Sequence, residues 1–98
     1  MIVDFSPATG LTLVEADDFL RFKLRIRDDS GRLPDLPGVV LTDDSNALVS
    51  IDAVSRLPGA PDTQAWRAGF SKMVDYAATK GWIDSATNAI RAHVERVP

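Results

Sequence analysis

Leu20, Phe22, Leu24 and Ile26 alternate with Arg21, Lys23, Arg25 and Arg27 across the stretch FLRFKLRIR. Successive side chains of an extended strand point to opposite faces, so this order predicts a strand with one apolar side and one row of four cations. Wound as a helix at roughly 100° per residue, the same apolar residues would scatter over more than half of the wheel. Leucine and arginine favour helices, but by only about a few tenths of a kcal/mol per residue, and the period outweighs that preference. A strand of this kind needs neighbours to satisfy its backbone and a layer to cover its apolar side.

The neighbours are read from turn chemistry. Ile2, Val3 and Phe5 begin an apolar stretch that Ser6-Pro7-Ala8-Thr9-Gly10 breaks before Leu11-Thr12-Leu13-Val14, the pattern of a hairpin. Asp28-Asp29-Ser30-Gly31 and Asp43-Asp44-Ser45-Asn46 place short polar residues first and a residue tolerant of positive φ last, as turns require. Between them RLPDLPG is a loop stiffened by Pro34 and Pro37. Val39-Val40-Leu41-Thr42 and residues 47–54 read as two further strands, and the whole as an antiparallel meander of four or five strands.

The covering layer is expected from the C-terminal third. RLPGAPD (residues 56–62) leads into a helix over about 62–80, with Asp62 or Thr63 as its cap, Trp66, Gly69, Phe70, Met73, Val74 and Ala77 as its apolar stripe, and Gly81 ending it. Asp84 or Ser85 would cap a second helix with the stripe Ile83, Ala86, Ile90, Val94 and Val97. The short connection predicts an antiparallel helix hairpin. The expected architecture is therefore α+β: residues 1–54 as the sheet and 62–97 as a helix hairpin on one face, within a single domain of residues 1–98.

Composition narrows the function classes. The chain of 98 residues is 45% apolar and 26% charged, enough to bury a core and stay outside the disordered range. It has no cysteine, which removes disulfides, thiolate zinc sites and cysteine nucleophiles and fits a reducing, cytoplasmic setting. MIVDFSPATG carries no basic segment ahead of a long apolar run, so neither a signal peptide nor a membrane span is expected. The net charge of −3 disfavours a dedicated nucleic-acid binder, although a local basic patch can outweigh a total. No phosphate-binding glycine loop, serine elbow or calcium-loop spacing occurs, and the Asp pairs at 17/18, 28/29 and 43/44 fall where turns are wanted. No cofactor or metal is expected.

Three candidate sites remain. The row Arg21, Lys23, Arg25 and Arg27, with Phe19 beside it as a stacking ring, has the charges of a polyanion or nucleic-acid surface. The ordinary alternative is a solvated sheet face paired across strands with acids such as Glu15 or Asp52. His93, the only histidine, falls about 60° from the centre of the second helix's stripe. From there it would serve a small enzyme as a proton shuttle, with Tyr76 approaching it across the helix hairpin. A plain boundary position without chemistry is the better explanation. Trp82 at the hairpin corner either closes the core or anchors an interface. The function that fits these features best is a small non-catalytic binding or assembly module, paired as a homodimer, with polyanion binding and His93 chemistry as alternatives.

Overall fold

The structure is a computed structural model that describes residues 1–27 and 36–97. The turn expected at Asp28-Asp29-Ser30-Gly31 and most of RLPDLPG lie outside the described residues. Among the described residues, seven strands and two helices follow in the order β1 (Ile2–Ser6), β2 (Gly10–Val14), β3 (Lys23–Arg27), β4 (Val39–Leu41), β5 (Asn46–Ser50), α1 (Ile51–Val54), α2 (Gln64–Thr79), β6 (Ile83–Asp84) and β7 (Ala89–Val97).

The strands make one mixed sheet in the order β2-β1-β3-β7-β5-β4, with β6 pairing β7 off this path. The antiparallel meander is therefore corrected. β1–β2 and β4–β5 are antiparallel hairpins, but β3 lies parallel to β1 on one side and parallel to β7 on the other. The C-terminal helix hairpin is corrected as well, since residues 83–97 form strands and α2 is the only long helix described. Ile90, Ala92 and Val94 are buried while Arg91 and His93 are exposed, a period of two that the small side chain of Ala92 conceals in the sequence. The polar residues that resembled a helix cap instead close a turn. The Thr87 hydroxyl donates to the Asp84 carboxylate at 2.6 Å, and Asn88 takes a φ of 52°, which asparagine tolerates better than most residues.

The strand expected at 47–54 ends at Ser50. There the Ser50 hydroxyl accepts from the Ala53 amide at 3.2 Å and starts the single turn of α1. The strand read from FLRFKLRIR begins only at Lys23, leaving Leu20 outside it and 96% exposed. Within β3 the alternation holds: Leu24 and Ile26 are buried, and Lys23, Arg25 and Arg27 lie on the other face.

Thr63 caps α2 by accepting from the Trp66 amide at 3.1 Å, and Gly81 (φ 76°) follows its end in the left-handed region. Trp66, Phe70, Met73 and Ala77 of α2 join Val3, Leu13, Leu24, Ile26, Val49, Ile90, Ala92 and Val94 of the sheet in one core. The Trp66 ring stacks on Phe70 at 5.1 Å, and its indole donates to the Ala16 carbonyl at 2.9 Å. That bond ties the helix to the loop that precedes β3. The opposite face of the sheet is polar and carries Asp4, Arg25, Glu95 and His93.

Candidate functional site

Strand register decides what the cationic row can do. Asp4 of β1, Arg25 of β3 and Glu95 of β7 stand abreast on the polar face. Arg25 donates to the Asp4 carboxylate through Nε at 3.2 Å and Nη2 at 2.6 Å, and Arg27 Nε lies 3.1 Å from both Asp4 oxygens. Lys23 pairs with Glu95 at 2.7 Å. The acids are thus Asp4 and Glu95, not the Glu15 or Asp52 read from the sequence. Burial pushes the Asp4 carboxyl up, but the hydrogen bonds and charges of Arg25 and Arg27 outweigh it and hold it below the ordinary value. The hydrogen bond from Lys23 likewise holds Glu95 low. Arg21 leaves the row altogether, because it precedes the strand.

His93 sits on this polar face, level with Lys23 and Asn46 on the flanking strands. Tyr76 belongs to α2, which packs on the other face. Since residues 83–97 form strands and not the expected helix, the approach expected between the two does not occur: the sheet separates them.

On the α2 side lies a groove of about 590 Å³. It arises from a notch in the sheet. On one edge of β7, pairing with β6 stops at Ile83↔Ile90 and pairing with β3 starts at Lys23↔His93. The residues at the two rims of that notch are 19–22, leading into β3, and Trp82, leading into β6. Phe22, Met73, Ala77 and Ile90 supply apolar lining, while Tyr76 and Trp82 meet edge to face at 6.3 Å. Phe19 closes against the helix at Gly69, where a Cβ would stand 2.6 Å from its ring, so only glycine leaves room for that contact. Among the described residues four large apolar side chains are exposed: Leu20, Val40, Tyr76 and Trp82. Three of them, all but Val40, line this groove.

Among the described residues, every charged residue lining the groove is a cation: Arg21, Lys72 and Arg91. They come from the loop before β3, from α2 and from β7. No ion pair among the described residues involves any of them, in contrast to Lys23, Arg25, Arg27 and Arg67. Phe19, Arg21, Tyr76 and Trp82, singled out in the sequence for three separate reasons, converge here. Lys72, Met73, Ile90 and Arg91 were not anticipated as site residues. The first two occupy adjoining positions on the helix, and the last two border a notch that exists only once β7 pairs with both β3 and β6.

Among the described residues no three His, Asp or Glu side chains converge as a metal site would require. No described helix is long and apolar enough to cross a membrane. Comparison with protein-family models, curated proteins and solved structures finds no match for this chain.

Proposed function

We propose that this chain is a small non-catalytic binding module whose ligand seat is the groove between residues 19–22, α2 and Trp82. One observation carries the reading: three of the four exposed large apolar side chains gather around one concavity. Scattered exposed apolar residues are normal on a protein surface, whereas a concave cluster is the usual mark of a binding site. Its volume of about 590 Å³ falls within the range of roughly 300–1,000 Å³ typical of small-ligand clefts. Polyanion binding through the strand face has weaker support, because Lys23, Arg25 and Arg27 already pair with Glu95 and Asp4. The His93 reading has less support, because that ring does not line the groove.

The competing occupant is a second copy of the chain seated on the same apolar patch. Gel filtration at low micromolar concentration separates the two, combined with amide NMR shifts on titration of 1-decanol below its solubility limit. The binding reading expects a monomer whose shifts concentrate at residues 19–22, 72–77, 82 and 90–91. A stable dimer that broadens those same signals replaces the reading with self-assembly. Shifts spread evenly over the surface remove it.

A further inference from the structure

We propose that the groove selects an amphipathic organic anion: a small molecule with an aliphatic or aromatic body and one carboxylate or comparable anionic head. The inference rests on the reading of the groove as the ligand seat and adds its charge preference. The chain has 14 acids against 11 lysines and arginines, yet among the described residues the groove is lined by three cations and no carboxylate. A fourth, Lys80, stands 5.5 Å from the centre of the Tyr76 ring at the same end of α2. Arg21 lines the groove from the loop before β3, Arg91 from β7 between the two rims, and Lys72 from α2.

Apolar walls lower the effective dielectric beside a cation, so an anion seated against them is held more strongly than at a flat, open surface. Guanidinium groups are suited to this, because their planar fork matches a carboxylate with two parallel hydrogen bonds. The body of the ligand lies against Phe22, Met73, Ala77 and Ile90. Methionine adapts its shape to irregular apolar surfaces, and Met73 extends the range of bodies that fit. The edge-to-face pair of Tyr76 and Trp82 forms the wall. A neutral body alone meets the apolar part of this lining and none of its charge.

The experiment compares decanoate with 1-decanol on the intact chain, below the micellar range, by amide NMR shifts and by quenching of the half-exposed Trp82. Trp66, only 4% exposed, is the internal reference. Decanoate is expected to bind at least about tenfold more tightly at low salt, the ratio that one charge-assisted contact supplies. The advantage is expected to shrink as salt rises. In the double variant Arg21→Gln, Arg91→Gln, decanoate is expected to fall to the affinity of decanol, with Tm retained because both side chains are exposed. Equal affinity of the two probes in the wild-type chain overturns the charge preference and leaves the groove reading standing. Failure of both probes removes both. Shifts from decanoate that appear at Lys23, Arg25 and Arg27 instead also overturn the inference. So does binding to vesicles containing anionic lipid without binding to free decanoate, which would make the site a membrane contact.

Discussion

Replacing Asp4 by asparagine keeps the shape of the side chain and removes the one charge that holds Arg25 and Arg27 together. The Asp4 side chain is 8% exposed and Arg25 20%, so this pair is largely withdrawn from water; Arg27 is 46% exposed and counts for less. A hydrogen bond to a charged group contributes about 1.5–3 kcal/mol, and an exposed pair about 1 kcal/mol or less. The amide oxygen of the asparagine would still accept one bond, so the expected loss is about 2–3 kcal/mol. That is a large share of the roughly 5–15 kcal/mol available to a domain, and at about 4–8 °C per kcal/mol it lowers Tm by about 10–20 °C. Urea denaturation followed by circular dichroism at pH 7 measures it. A double-mutant cycle with Arg25→Met should return a coupling of about 1–2 kcal/mol, and one with Arg27→Met clearly less.

The same pair fixes a pH dependence. Asp4 titrates below its ordinary value of 3.8, so its contribution is fully present above that pH and is lost as pH falls through the lower, folded value. The gap between the wild-type chain and D4N should therefore be constant near neutrality and close as pH drops below about 3.8. Loss of under about 0.5 kcal/mol in D4N, the size of an ordinary surface change, would refute the claim that this triad secures the polar face. So would a gap that stays open at low pH.

Other variants test the backbone and the helix. Gly59→Ala places a Cβ 2.1 Å from the Leu13 carbonyl oxygen, whereas Gly81→Ala meets nothing within 4 Å. Both positions have positive φ, so Gly81→Ala should cost about 1–2 kcal/mol and Gly59→Ala about 3 kcal/mol or more; equal losses by urea denaturation would contradict the close approach. Thr63→Ala removes the acceptor for the Trp66 amide and should cost about 1 kcal/mol, with Thr63→Ser recovering most of it. Leu20→Ser, at a side chain that is 96% exposed, should change Tm by no more than a few degrees while weakening decanol binding, and a large Tm loss would mean that Leu20 is covered.

Much of the local structure was legible in the residues. The β1–β2 and β4–β5 hairpins follow from clusters of turn residues between apolar runs. α2 follows from an apolar stripe with a threonine cap and a terminal glycine, and was placed within two residues at each end. Residues 83–97 were misread because Ile90 and Val94, four apart, share a face in a helix and in a strand alike. Asp84 and Ser85 are good caps and equally good turn residues. Only Ala92 distinguishes the two patterns, and alanine is too small to announce a face. The candidate site was legible only in pieces: Phe19, Arg21, Tyr76 and Trp82 each drew notice, but nothing in the order of residues says that they meet.

What the sequence determines by itself is the conformation of stretches whose period and punctuation admit one answer. These are the extended run of Lys23–Arg27, with its cations opposite its apolar residues, and the amphipathic helix of Gln64–Thr79. Tertiary structure decided the rest. β7 is a strand because β3 and β5 flank it and satisfy its backbone on both edges. Asp4 and Glu95 become the partners of the cations because parallel pairing brings β1 and β7 to the two sides of β3. The groove exists because β6 and β3 stop short of each other along β7. The physical reason is common to all three. Local preferences are worth tenths of a kcal/mol per residue, about the size of the difference between competing conformations, and contacts between distant segments tip the balance.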